Sequence, residues 1–247
     1  MPSPTTFADA LATALRADPA RPLVTFYDDA TGERVELSVT TYANWVAKTA
    51  SLLQDELDVE RGGLVLVDLP VHWLGAVWAG AAWALGLAVT DDPALADEVD
   101  LVVCGPAGVA PYAGHAGRVP VLGLSLRPLG GRFTDPLPAG VTDYGAVVLG
   151  QPDAFAPYDP PGGDDPAYRD ETGTTTQQAL LADAAGSGLV GDGGRLLTDV
   201  APTTRAGLAT LLVPLLRGGG TVWVRHADPA SWPARAEQER TTAELRA

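Results

Sequence analysis

The feature that most constrains the fold is a short apolar run that ends at a proline and is followed by a long segment of small residues. Leu64 to Leu69 form the apolar run, Pro70 ends it, and Val71 to Leu85 combine alanine, glycine and tryptophan. A strand that is apolar on both faces is typical of a parallel sheet covered by helices. The segment after the proline is predicted to be a helix, so the strand is followed directly by a helix.

The residues after this helix continue the alternation of strands and helices. Short apolar strands are predicted over Leu87 to Thr90, Leu101 to Cys104 and Val119 to Leu122. This β-α-β order predicts a parallel layer with right-handed connections. Asp91 and Asp92 directly follow a strand end, which is where α/β proteins place ligands, but a capped turn before Pro93 is the preferred interpretation.

The remaining sequence suggests a second unit of the same kind. A helix is predicted over Phe7 to Ala17, a β-hairpin over 23–37, and a helix that begins at Thr40 or Thr41. Proline and glycine then dominate 125–165, and the alternation resumes afterwards. We expect an α/β protein with two β-α-β lobes and mostly parallel sheets: a first lobe over 1–124 that includes the hairpin, a connection over 125–165, and a second lobe over 166–247.

The charge of the chain excludes several functional classes. With 31 acidic and 16 basic residues the net charge is −15, and Lys48 is the only lysine. Phosphate backbones require a clustered positive surface, so we expect no nucleic-acid partner. Nor do we expect membrane association, because no basic amphipathic helix is present. The preference for arginine over lysine, together with abundant alanine, glycine and proline, indicates a high-GC bacterial genome.

The sequence has neither the pattern of a metal site nor that of a secretion signal. Cys104 is the only cysteine, and it lies in an apolar run, which predicts a buried and unreactive thiol. His72, His115 and His226 are far apart in the sequence, so no metal site is expected. The amino terminus lacks the pattern of a signal peptide, which favours the cytoplasm. The three tryptophans of the 71–85 segment are five residues apart, so at least one is expected to contact something outside the local core.

Several strings, taken in order, resemble the amino-terminal half of adenylate-forming enzymes, the acyl-CoA synthetase and AMP-binding family. Ser38 to Tyr42 is similar to that family's strand-to-helix "T-Y" step. Leu64 to Leu85, with Pro70, resembles its "V-x-L-x-x-P-N" segment and the helix that follows. Leu208 to Val224 resembles its "L-L-P-L-L-x-G-G-T-V-V" segment. The chain also resembles a small bacterial family of truncated AMP-binding-like proteins, and the resemblance implies the front half of the acetyl-CoA synthetase-like fold.

The resemblance places a degenerate phosphate loop at Thr172, Gly173, Thr174, Thr175 and Thr176. The family's loop has the form "[ST]-S-G-[ST]-[ST]-G-x-P-K-G", in which backbone N–H groups, hydroxyls and a lysine hold the triphosphate. Here Thr176 replaces the second glycine and Ala179 replaces the lysine. The segment is expected either to hold one anion or to be a polar turn between a strand and a helix capped by Thr174 or Thr175.

The resemblance also implies what the chain lacks. Ala201 to Thr204 stand where the family has "P-L-F-H", and the family's ribose-binding aspartate and lysine-bearing carboxy-terminal domain lie beyond Leu245. Lys48 is too early in the chain to replace a missing lysine. The leading hypothesis is a non-catalytic homologue that binds a nucleotide (ATP or AMP) or acyl-CoA. The alternatives are a protein-interaction module or homo-oligomer, and a half-enzyme whose adenylate-forming activity is completed by another chain.

Overall fold

The computed structural model describes residues 3–247, and these residues form an α/β fold. The strands are β1 (Pro22–Asp28), β2 (Glu33–Ser38), β3 (Leu64–Asp68), β4 (Ala88–Thr90), β5 (Leu101–Cys104), β6 (Val121–Gly123), β7 (Val141–Asp143), β8 (Pro166–Asp170), β9 (Gly173–Thr176), β10 (Arg195–Thr198), β11 (Gly220–Arg225) and β12 (Ala243–Leu245). The helices are α1 (Phe7–Ala17), α2 (Val39–Asp55), α3 (Trp73–Ala84), α4 (Val109–Tyr112), α5 (Tyr144–Val147), α6 (Gln177–Gly186), α7 (Leu208–Leu216) and α8 (Trp232–Gln238).

The strands assemble into two mostly parallel sheets, which confirms the predicted fold class. The large sheet has seven strands in the order β7-β6-β5-β3-β4-β8-β9, and only β8 and β9 pair antiparallel. The small sheet has five strands in the order β12-β10-β11-β1-β2, and only β1 and β2 pair antiparallel. The parallel order follows from the helical crossovers between successive strands.

The division of the strands between the two sheets does not follow the predicted lobe boundaries at residues 124 and 166. The hairpin β1–β2, which we had assigned to the first lobe, belongs to the small sheet, where Val24 is paired with Thr221. Strands β8 and β9, assigned to the second lobe, extend the large sheet through the pair Val89 and Tyr168. Strand β7 lies within the expected connection and pairs with β6. The small sheet therefore contains strands from both ends of the described chain, whereas the strands of the large sheet all lie within residues 64–176.

Helix α3 lies at the centre of the protein. All of its residues are buried, and it contacts β1 of the small sheet as well as β3, β4 and β8 of the large sheet. A helix that is apolar all round needs this placement, because no face of it suits water. Trp73, Trp78 and Trp83 are at most 1% exposed, so the expectation that one of them serves an outside contact is wrong.

The start of α2 differs from the sequence prediction by two residues. Ser38, not Thr40 or Thr41, caps the helix: its Oγ accepts a hydrogen bond from the backbone N–H of Thr41 at 3.1 Å. Thr40 is already helical and its hydroxyl donates to the carbonyl of Pro19 at 3.0 Å. The hairpin strand β2 therefore passes directly into α2.

Within the described range, no helix has both the length and the apolar character that crossing a bilayer requires. Helix α3, whose residues are all buried, is 12 residues long and contacts both sheets.

Candidate functional site

The predicted phosphate-loop residues form a β-hairpin in place of a strand-to-helix loop. Gly173 to Thr176 are strand β9, which pairs with β8 so that Asp170 lies opposite Gly173 and Arg169 opposite Thr174. β-branched threonines favour extended backbone, which accounts for the extra strand. The cap of α6 is Thr176, which accepts from the backbone N–H of Ala179 at 3.3 Å, so the assignment of the cap to Thr174 or Thr175 is corrected.

The turn of this hairpin is occupied by a carboxylate of the chain itself. Asp170 accepts hydrogen bonds from the backbone N–H of Thr172 at 2.8 Å and from its hydroxyl at 2.5 Å. These bonds from Thr172, with further contributions from Arg205 and the backbone N–H of Gly173, lower the pKa of Asp170. The donors that a phosphate would use are thus directed at an anion that is already present.

The residue after the hairpin is a structural anchor. The Gln177 side chain is 2% exposed; its carbonyl accepts from the backbone N–H of Phe7 at 2.9 Å, and its amide donates to the carbonyl of Trp83 at 2.8 Å. These bonds join α6 to α1 and α3. The carboxy-terminal end of the predicted loop is therefore fixed by the core, and the turn at Thr172 and Gly173 is its exposed end.

A cation that the sequence analysis missed lies beside the hairpin. Arg205 donates from Nη1 to the hydroxyl of Thr175 at 2.6 Å, and its guanidinium lies 5.4 Å from the ring centre of Tyr168. The Tyr168 hydroxyl donates to Asp91 at 2.6 Å, and burial followed by this carboxylate raises the pKa of Tyr168. Arg205, Thr175, Tyr168 and Asp91 form what we call the Arg205 cluster.

The turn that carries Arg205 is tightly constrained. The Thr204 hydroxyl donates to the carbonyl of Ala201 and accepts from the backbone N–H of Gly207, both at 3.0 Å. A Cβ on Gly207 would lie 1.7 Å from the Ala201 oxygen, so only glycine fits there. Arg205 is therefore presented from a rigid turn that leads into α7. Its position directly after the Ala201 to Thr204 string was the available sequence signal.

The other residues singled out from sequence lie elsewhere. Lys48 binds the carbonyl of Gln151 and forms an ion pair with Asp153 at 2.9 Å, so it is engaged in the connecting segment. Asp92 caps the turn that begins at Pro93 by accepting from the backbone N–H of Ala94 at 2.9 Å. Cys104 is buried as expected, and burial together with Asp68 raises the pKa of its thiol to about 12.

The histidines are separate in space as well as in sequence. His72 is fully buried beside Phe26, His115 faces Asp97, and His226 pairs with Asp28 at 2.8 Å. Among residues 3–247, no three His, Cys, Asp or Glu side chains are grouped so that they could hold a metal ion.

Comparison with known proteins identifies the family. No protein-family model matches the chain. A Mycobacterium tuberculosis protein described as "TIGR03089 family protein" is 38% identical over 253 residues, which cover 98% of this chain and 99% of the relative. The chain belongs to the TIGR03089 family. Its mycobacterial relative thus matches it from end to end.

Solved structures show that this TIGR03089 family member has an acyl-CoA synthetase-like fold. A Brucella canis acyl-CoA synthetase superposes with a TM-score of 0.76 at 18% identity, covering 96% of this chain and 47% of the synthetase. A Mycobacterium tuberculosis fatty acyl CoA synthetase superposes with a TM-score of 0.73 at 17% identity, covering 96% of this chain and 48% of the synthetase. The N-terminal domain of FACL13 from the same organism superposes with a TM-score of 0.72 at 17% identity, covering 98% of this chain and 62% of that domain's chain. The resemblance to the amino-terminal half of adenylate-forming enzymes is confirmed, and the chain spans about half the length of the first two.

Proposed function

We propose that this protein is a non-catalytic homologue of adenylate-forming enzymes that binds an anionic ligand, a nucleotide or an acyl-CoA, at the Arg205 cluster. The observation that carries the proposal is the pairing of a closed turn with an accessible cation. The Asp170 carboxylate fills the turn, while the Arg205 guanidinium lies exposed on the neighbouring turn.

The non-catalytic assignment is supported by the charges in the hairpin. Adenylyl transfer depends on cations and backbone donors that neutralise the charge which develops on the phosphates. At the tip of this hairpin the donors bind Asp170, and a triphosphate at the same place would be repelled by the carboxylate. Ala179, at the position of the family's lysine, contributes only its backbone N–H to the cap at Thr176.

Ligand binding is supported by the Arg205 cluster. A guanidinium offers paired donors that match phosphate and carboxylate oxygens. The stacking of Arg205 on Tyr168 and its bond to Thr175 use one part of the guanidinium, and its exposure leaves the rest for a ligand. Within the cluster Asp91 directly follows the carboxyl end of β4, the kind of position where α/β folds bind ligands, while Tyr168 and Thr175 lie within β8 and β9.

Two measurements on the purified protein test the proposal. Pyrophosphate release is measured with ATP, Mg²⁺ and a panel of carboxylic acids, and no release above the protein-free blank is expected. Sustained release would overturn the non-catalytic assignment. Calorimetry with ATP, AMP and an acyl-CoA is expected to show binding of at least one of them, and no heat with any of the three would remove the ligand-binding role.

We propose a protein-interaction role, including self-association, as the second candidate. It is favoured by two exposed leucines, Leu129 and Leu149, which are 70% and 59% exposed. Leu129 also has a left-handed backbone, with φ of 56°, which is uncommon for leucine. Light scattering over a concentration series tests self-association: a rise in mass that Leu129→Ser removes would support it, and a constant monomer mass would exclude it.

A further inference from the structure

A groove separate from the Arg205 cluster runs between helices α1 and α2. It has a volume of about 540 Å³ and is lined mainly by apolar side chains, among them Leu11 and Leu15 of α1 and Ala43 and Ala47 of α2. A volume of this size is in the range of small-molecule sites, which are typically apolar with a few polar groups. The groove has the size and lining of a binding site for a small molecule.

The groove is covered by an ordered segment of the proline-rich connection. Residues 151–165 contain no helix or strand, yet side chains tie them to α2: Asp153 pairs with Lys48 at 2.9 Å, and the Tyr158 hydroxyl donates to Asp55 at 2.9 Å. Between these two ties Phe155 faces the groove and packs against the core. The roof is completed by prolines 157, 160 and 161. The covering segment is thus held on α2 by polar contacts, and its apolar side chains line the groove.

The polar groups of the groove are acidic or neutral. Asp9 lines it from the first turn of α1, Asp153 from the roof, and Asn44 from α2. Lys48 neutralises Asp153, whereas the side-chain partner of the Asp9 carboxylate among residues 3–247 is a hydroxyl, that of Thr6, at 2.9 Å. Within the described range, one carboxylate at the groove therefore has no cationic side chain paired with it, in a chain whose net charge is −15. An apolar ligand with a protonated amine suits this lining, and an apolar carboxylate is repelled by it.

We propose that the groove between α1 and α2 binds a small amphiphilic amine, with its hydrocarbon part among the alanines and Phe155 and its ammonium group near Asp9. Asn44 supplies an amide oxygen as a second acceptor. This site is formed by residues that the Arg205 cluster does not use, so it stands or falls independently of the proposed function.

Calorimetry with three probes that share one chain, decylamine, decanol and decanoate, tests the proposal below their micelle concentrations. Decylamine is expected to bind about tenfold more tightly than decanoate, with decanol in between. Asp9→Asn is expected to lower the affinity for decylamine by about threefold, the size typical of an exposed charge contact. Failure of decylamine to bind, or equal affinity for all three probes, would overturn the proposal.

Variants that fill the groove locate the binding site. Ala43→Phe places a ring in the groove from α2, and Ala12→Phe does so from α1. Each substitution by itself is expected to lower the affinity for decylamine by about tenfold. Ala234→Phe on α8, an exposed alanine outside the groove, is the matched control and is expected to bind as the wild type does. Thermal unfolding identifies which variants are folded. A folded groove variant with wild-type affinity would place the probe elsewhere and overturn the assignment.

Discussion

The carboxylate of Asp170 closes the β8–β9 turn by accepting two hydrogen bonds from Thr172, one from its backbone N–H at 2.8 Å and one from its hydroxyl at 2.5 Å. The backbone donors of a tight turn are a natural site for an anion, and here the chain supplies that anion itself. The turn is satisfied without a phosphate.

Replacing Asp170 with asparagine is expected to make the turn more receptive to phosphate. The substitution Asp170→Asn keeps an acceptor for Thr172 but removes the negative charge, so the affinity for inorganic pyrophosphate is expected to rise about threefold. Asp183→Asn, an exposed aspartate on α6, removes the same charge away from the turn and is the control. Titration calorimetry checks the result; an equal change in both variants would mean that only the net charge matters.

The complementary change removes the cation of the Arg205 cluster. Arg205→Gln keeps hydrogen-bonding capacity toward Thr175 but loses the charge, and the affinity for pyrophosphate or ATP is expected to fall about tenfold. The control is Arg16→Gln on α1, where the guanidinium donates to the Thr13 hydroxyl at 3.0 Å, and this variant changes the net charge equally. If both arginine variants lose the same affinity, ligand binding does not depend on the cluster.

Gln177 is expected to contribute to stability through its buried amide. Gln177→Leu leaves the N–H of Phe7 buried without a partner and removes one of the two hydrogen bonds that the Trp83 carbonyl accepts, the other coming from the N–H of Gly86. The free energy of unfolding is therefore expected to fall by about 2 kcal/mol. Gln178→Leu, one residue on and exposed, is expected to change it by less than about 0.5 kcal/mol. Urea unfolding of the two variants side by side measures the difference. Equal effects would show that the Gln177 contacts carry no net stability.

The parts of the fold that follow from local pattern could be predicted from the sequence. Helix α1 was predicted at its observed bounds, Phe7 to Ala17, because one side of it repeats apolar residues at helical spacing. The hairpin β1–β2 was marked by alternation around a turn rich in aspartate and glycine. Both features are set by neighbours in the sequence.

The parts that depend on distant contacts could not be predicted in this way. The pairing of Val24 with Thr221 joins residues from opposite ends of the chain, and no local pattern encodes it. The hairpin at 170–176 was missed because the family motif implied a loop, whereas the threonines favour a strand that extends the edge of the large sheet. Arg205 joins the site only because its turn folds back onto Thr175.

His72 is expected to make stability depend on pH in a defined window. Its side chain is fully buried, with Nδ1 accepting from the backbone N–H of Leu74 at 3.2 Å. Burial, and then the charge of Arg225, lower its pKa from 6.5 to about 3. Below pH 6.5 the unfolded chain therefore binds a proton that the folded chain does not, and the free energy of unfolding falls by up to about 1.4 kcal/mol per pH unit until the pH approaches the folded value.

His72→Asn keeps an oxygen acceptor for the start of α3 but removes this titration. The variant is expected to be less stable than the wild type at neutral pH, because the new side chain packs less well against Phe26, and to lose that disadvantage as the pH falls below about 6. Comparison of urea unfolding for both proteins at each pH cancels the titration of the shared carboxylates. His115→Asn, at a partly exposed histidine, is the matched control. Parallel stability curves for the wild type and His72→Asn would contradict this prediction, because they would mean that His72 makes no contribution to the pH dependence of the free energy of unfolding.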